Sequence, residues 1–147
     1  MIRSIFFFVC LAILGACNYS ASDKKNFDVQ IKRYITARKL PHQATGSGLY
    51  LHIDSLGKGR KIQFQDSVWV SYKLTLLNGT TIDKQTQAVG LPLNSLIKAW
   101  QEALYHLPVG SKLSCISPPQ LAYGQAGTDK ISKDKILYFE MTIVDAK

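Results

Sequence analysis

Between Val68 and Leu76 the chain alternates without a break, and a turn signal follows at once. Val68, Val70, Tyr72, Leu74 and Leu76 fall on one face, and Trp69, Ser71, Lys73 and Thr75 on the other. Successive side chains of a strand point to opposite sides, so the pattern commits this segment to a strand with one buried face. Asn78-Gly79 accepts positive φ at both central positions of a type I′ turn. An antiparallel partner should therefore return through Thr81, Ile82 and Asp83.

The rest of the chain is read around this hairpin. Phe27 to Leu40 carries Val29, Ile31, Tyr34 and Ile35 at helical spacing, with Pro41 as the stop. After the Thr45-Gly46-Ser47-Gly48 loop, Leu49, Leu51 and Ile53 alternate as a strand that ends at Gly57-Lys58-Gly59. Gly90 to Leu93 reads as a loop, and Asn94 as the cap of a short helix with Leu96, Ile97, Trp100, Ala103, Leu104 and Leu107 inward. Pro108-Val109-Gly110 ends that helix. Leu113, Cys115 and Ser117 alternate into Pro118-Pro119, a polar loop runs from Tyr123 to Lys135, and Leu137, Phe139, Met141 and Ile143 form the last strand. Strands on either side of one helix, without long crossovers, predict an α+β fold: a curled antiparallel sheet wrapped around a short helix, with an N-terminal helical extension. At 147 residues, 46% of them hydrophobic, there is room for one domain with a real core.

The first residues bear on compartment. Arg3 precedes an apolar run from Ile5 to Leu14, too short to span a bilayer and shaped like a secretory signal. It ends in Leu14-Gly15-Ala16-Cys17, which resembles a bacterial lipobox: an aliphatic residue, two small residues that admit a peptidase, and a Cys to be acylated. The expected division is a lipoprotein signal peptide at 1–16, a tether at 17–25, the helical extension at 26–45 and the folded domain at 46–147. Localisation follows as the bacterial cell envelope, lipid-anchored at Cys17 to the inner or outer membrane and facing the periplasm. The formal charge of +8 would raise nucleic acid as a partner in the cytoplasm. Outside it, nucleic acid drops out and a solvated basic surface remains. With Cys10 removed and Cys17 lipidated, Cys115 has no partner, so a buried small hydrophobe and no disulfide is expected.

Much chemistry is missing from the sequence. There is no Gly-rich phosphate loop, no metal-spaced His or Cys cluster and no nucleophile elbow. His42, His52 and His106 stand apart, each read as a surface or satisfied histidine. No metal and no cofactor is called for. What remains is a store of aromatic and aliphatic residues at loop edges, the material of an apolar pocket.

From Gly48 to Val144 the order of motifs resembles the FKBP-type peptidyl-prolyl isomerases. The anchors are Val70-Ser71-Tyr72 before a Leu-Asn-Gly turn, Ile82-Asp83 after it, and the run from Leu91-Pro92-Leu93 to Lys98-Ala99-Trp100. Leu107-Pro108-Val109-Gly110, Pro118-Pro119-Gln120-Leu121-Ala122-Tyr123-Gly124 and Leu137-Tyr138-Phe139-Glu140 follow in order. The helix before Pro41 looks like the lead-in of membrane-anchored bacterial members. The resemblance implies a half-open antiparallel sheet around a short helix, with a proline pocket between them.

Carried over by position, it implies a catalytic set of Asp83, Tyr72 and Tyr123 and a substrate-binding set of Leu91, Ile97, Trp100, Phe139 and Ile82. Trp100 would be the pocket floor, Tyr123 would hold a substrate carbonyl, and Asp83, braced by Tyr72, would polarise the rotating one. Three departures predict a shallower pocket with a looser rim. Ile82 stands where the family has Phe, Leu91 where an aromatic is common, and Ile131-Ser132-Lys133-Asp134 where Ile-Pro-Pro-Asn is usual. On the residues alone, Trp100 and Phe139 equally suit an ordinary core, Tyr72 strand packing and Asp83 turn closure. The implied function is cis–trans isomerisation of X-Pro bonds in exported proteins by a monomer acting on proline-containing polypeptides. The alternative is a non-catalytic proline-segment-binding or assembly module of the envelope.

Overall fold

In the computed structural model, which describes residues 19–147, six strands pair antiparallel in one sheet in the order β1-β2-β5-β6-β3-β4. They are β1 (Gln43–Ala44), β2 (Tyr50–Ser55), β3 (Ser67–Leu76), β4 (Thr81–Pro92), β5 (Lys112–Ser117) and β6 (Leu137–Ala146). Two helices accompany them, α1 (Ala21–Arg38) and α2 (Lys98–Leu104). The sheet curls over α2, and the main core fills the space between. Val68, Val70 and Leu74 of β3, Leu113 and Cys115 of β5, and Leu137, Phe139, Met141 and Ile143 of β6 meet Ala99, Trp100, Ala103 and Leu104 of α2 there.

The alternation also explains the second layer. Tyr50, Ile116 and Tyr138 lie one residue from inward-facing Leu51, Cys115 and Phe139, so they point out of the opposite face. There α1 covers them with Phe27, Ile31, Tyr34 and Ile35. β5 is consequently buried on both sides from Leu113 to Ser117, although its sequence suggests one buried face. Val29, expected on the packing face of α1, is exposed.

Several local expectations change. The Asn78-Gly79 turn is not type I′: Gly79 has φ +90, while Asn78 stays at negative φ. The Gly79 N–H donates to Leu76 O and the Leu76 N–H to Thr80 O, so three residues make the loop. This is the pattern of a type I turn followed by a left-handed glycine. β4 runs on to Pro92, so Gly90, Leu91 and Pro92 are strand and not loop. Thr86 to Ala88 bulge opposite Ser71, which hides the strand from a period-two reading. Gly90 pairs with Trp69, and a Cβ there would sit 2.8 Å from the indole, so the glycine makes room for the ring.

Asn94 does not cap α2. It belongs to a 3₁₀ turn at Leu93–Ser95, and the cap position is Ile97, in extended conformation. The Gln101 amide does the bracing, donating to Asn94 O (3.0 Å) and Leu96 O (2.9 Å). Leu107 lies past the helix, beyond the left-handed turn at His106 (φ +65).

The proposed tether is the largest correction. α1 begins at Ala21, within the stretch read as a linker, and Ser20 with Asp23 forms its capping box. Tyr19 is buried. Cys10 and Cys17, and with them the expected signal peptide and lipidation site, lie outside the described residues.

Candidate active site

The curl brings together residues that are far apart in sequence. β3 presents Tyr72 inward, and α2 presents Trp100 from beneath. The two rings meet edge to face, centroids 5.1 Å apart at 82°. Phe139 of β6 meets Trp100 on another side at 5.6 Å and 83°. Such edge contacts place the positive rim of one ring against the electron-rich face of another and favour a fixed orientation over sliding. Trp100 is nearly buried, yet its Nε1–H has no protein acceptor.

Asp83 enters from β4, opposite Leu74, and so belongs to the strand and not to the turn end. Its Oδ2 accepts the Tyr72 hydroxyl at 2.6 Å, and its Oδ1 accepts the Lys84 N–H at 2.8 Å. Burial, reinforced by the Asp83 carboxylate, pushes the Tyr72 phenol above its ordinary range, with a further contribution from Tyr123. Tyr72 is thus a standing donor near neutral pH, and the carboxylate is held in one orientation against the aromatic group.

Ile82, Leu91, Ile97 and Tyr123 are half-buried and pack on the core that contains Trp100 and Phe139. The structure thus places the named apolar residues on the same core as Tyr72, Trp100 and Phe139. The rim is tied rather than loose. Ile131 is buried in the core, Gly127 N–H donates to Tyr123 O, and Asp134 N–H donates to Gly124 O. Sequence reading missed three supports: Gln101, Tyr19 and Asp134. Only the Ser20–Asp23 capping box, which announces an earlier helix start, offered a signal for any of them.

Two other hollows compete for attention. One, of about 470 Å³, lies along the sheet beside Lys73, Lys84, Lys112 and Glu140, and another, of about 390 Å³, lies beside β1. Tyr72 also borders the first, but Trp100 and Phe139 line neither. The histidines are less isolated than expected. His42 is buried, with its ring 5.8 Å from that of His52 and 5.6 Å from Tyr138, and both its nitrogens lack partners. His52 Nε2 lies 3.4 Å from Asp54. Burial, and secondarily His52, bring His42 down to about 4. Cys115 is buried and unpaired, its thiol pushed up by burial. Among the described residues, no group of three or more His, Cys, Asp or Glu is placed to hold a metal, and no helix is long and apolar enough to cross a membrane.

A half-open antiparallel sheet over a short helix, with an indole against the sheet and a phenol-braced carboxylate beside it, defines the prolyl-isomerase class. Residues 58–144 match the family model for FKBP-type peptidyl-prolyl cis-trans isomerase, and the chain belongs to that family. The isomerase FkpA of Buchnera aphidicola (subsp. Schizaphis graminum) is 34% identical over 135 residues, 88% of this chain and 53% of that protein. Mip of Coxiella burnetii is 35% identical over 122 residues, 79% of this chain and 53% of that one. This chain thus spans about half the length of these curated relatives. The crystal structure of FkpA from Escherichia coli superposes with a TM-score of 0.75 at 28% identity, covering 86% of this chain and 62% of that one. A peptidyl-prolyl cis-trans isomerase from Pseudomonas syringae pv. tomato gives 0.72 at 26%, covering 84% and 96%.

Proposed function

We propose that this protein catalyses cis–trans isomerisation of X-Pro bonds in exported polypeptides, anchored through a lipid on Cys17 and facing the periplasm as a monomer. The observation that carries the reading is Asp83 held by Tyr72 beside the Trp100 ring. An X-Pro bond rotates over a barrier of about 18–20 kcal/mol because twisting breaks amide resonance. The twisted amide has a carbonyl and a nitrogen that no longer share charge. A site that binds it more tightly than either planar form lowers the barrier, tenfold for each ~1.4 kcal/mol of preference.

Trp100, Phe139, Ile97, Leu91 and Ile82 bury the pyrrolidine ring and exclude water. Tyr123 holds a neighbouring carbonyl, and Asp83 polarises the rotating one. No proton transfer or covalent step enters, which agrees with a site built from aromatic rings and one oriented carboxylate. A protease-free isomerisation assay on a proline peptide tests this: acceleration above the uncatalysed rate is expected. Aliphatic Ile82 and Leu91 at the wall favour a second reading, a module that grips a proline segment without turning it over. Peptide binding without acceleration selects that module. For the anchor, mass spectrometry of membrane-extracted protein should find an acylated Cys17 at the N-terminus, and an uncleaved, unmodified chain would end the lipoprotein reading.

A further inference from the structure

The loop between β5 and β6 carries Tyr123 near one end and Asp134 near the other. Asp134 has φ +61, a left-handed conformation uncommon for a residue other than glycine, though Asp and Asn tolerate it better than most. Its N–H donates to Gly124 O at 2.9 Å, which closes the loop onto the residue that follows Tyr123. Its Oδ1 accepts the Tyr19 hydroxyl at 2.6 Å, across 115 residues of sequence.

Tyr19 is itself fixed. It is 7% exposed, meets Phe27 edge to face at 5.2 Å, and shares a cluster with Ile136. Immediately after it, the Ser20–Asp23 box sets the start of α1. The residue just before α1, in a cluster separate from that of Trp100 and Phe139, therefore reaches round to hold the rim on which Tyr123 sits.

We infer that Tyr19 and Asp134 are positioning residues for Tyr123, fixing through Gly124 where its hydroxyl meets a substrate carbonyl. The inference rests on the carbonyl-holding role proposed above for Tyr123. A hydrogen bond to that carbonyl is made in both planar and twisted states. Loosening it removes uniform binding, so the effect belongs in KM and not in kcat.

The test uses the full-length protein in detergent, with kcat and KM measured separately on an X-Pro peptide and unfolding followed in urea for each variant. Tyr19→Phe and Asp134→Ala should each raise KM about three- to tenfold, with kcat within twofold. The double variant should be no worse than the poorer single one, because both remove one bond. Asp134→Asn keeps an acceptor oxygen and suits the left-handed backbone, so it should restore wild-type KM. A merely structural contact would lower the urea midpoint and leave KM alone, which overturns the inference, as does an Asp134→Asn variant as impaired as Asp134→Ala. If Asp134→Ala does not fold, Tyr19→Phe and Asp134→Asn decide the matter. Tyr123→Phe run in parallel separates the two readings. Raised KM there with unchanged Tyr19→Phe overturns the strap alone, whereas unchanged KM in Tyr123→Phe overturns the carbonyl-holding role and the strap with it.

Discussion

The two faces of the sheet are packed by different chemistry. The inner face meets α2 through aliphatic and aromatic contact, with one phenol–carboxylate bond, Tyr72 to Asp83, at its edge. The outer face meets α1 through a smaller apolar patch and the Tyr50–Asp28 bond, and just before α1 Tyr19 makes a second such bond to Asp134 of the β5–β6 loop. Asp28 is further engaged by Lys32 at 2.7 Å, which with the Tyr50 bond holds its carboxyl below the usual range. The same pair of groups thus holds a carboxylate against the Tyr72 ring on one side, and on the other ties α1 through Tyr50 and Asp28 and the β5–β6 loop through Tyr19 and Asp134. Composition does not separate the two uses; what lies beside the carboxylate does. The phenol that holds Asp83 packs edge to face on an indole whose N–H has no protein partner, whereas Asp28 is also ion-paired with Lys32.

If this contrast is right, the largest single loss should come from the outer face and leave turnover intact. Ile31→Ala empties a fully buried site under α1 and should cost about 2–4 kcal/mol in urea unfolding, with kcat/KM within twofold while the protein stays folded. Trp100→Leu should do the reverse. The core keeps an apolar side chain, yet kcat/KM should fall about 30-fold, or ~2 kcal/mol, more than the shift in unfolding free energy explains at the assay temperature. Asp83→Ala should lower kcat/KM about tenfold and stability by only about 1 kcal/mol, the value of the hydrogen bond from Tyr72. A Tyr50→Phe control, which removes the matching bond on the outer face, should cost similar stability and no activity.

The smallest effect concerns pH. His42 is held at about 4, below the ordinary 6.5, by burial first and by His52 second, with Asp54 opposing and Tyr138 alongside. The unfolded chain takes up a proton as pH falls through about 6.5, and the folded chain resists until about 4. The contribution of neutral His42 is complete above pH 6.5 and is lost across that window. Urea midpoints at pH 7.5 and 4.5 should differ less in His42→Phe than in the wild type, and an equal difference would show that this histidine does not set the slope.

Legibility in the sequence divides along the same line. β3 and β6 were readable because each presents one continuous apolar face to α2, so the period survives. β4 was readable only where it returns through Thr81 to Asp83, because its bulge at Thr86–Ala88 breaks the period and Gly90 looks like a loop residue when it is clearing space for Trp69. The start of α1 was hidden in polar residues, since only Phe27 and Ile31 of that helix are buried and they lie well inside it. Motif order brought Tyr72, Asp83, Trp100 and Phe139 into view as candidates. It could not reveal Gln101 or the Tyr19–Asp134 bond, which depend on where distant segments meet.

The burial of Tyr19 changes the mechanics of an anchored domain. From Cys17 to Tyr19 the backbone reaches at most about 7 Å. With the lipid on Cys17 as proposed, the domain is less a balloon on a string than a lamp on a short bracket. If that anchor is present, Tyr19 would lie within that reach of the lipidated residue, and the Asp134 rim to which it is bonded would lie close to the headgroups. An isomerase so placed would meet clients in a thin layer, where chains that have just crossed the membrane would be the most concentrated proline-bearing traffic.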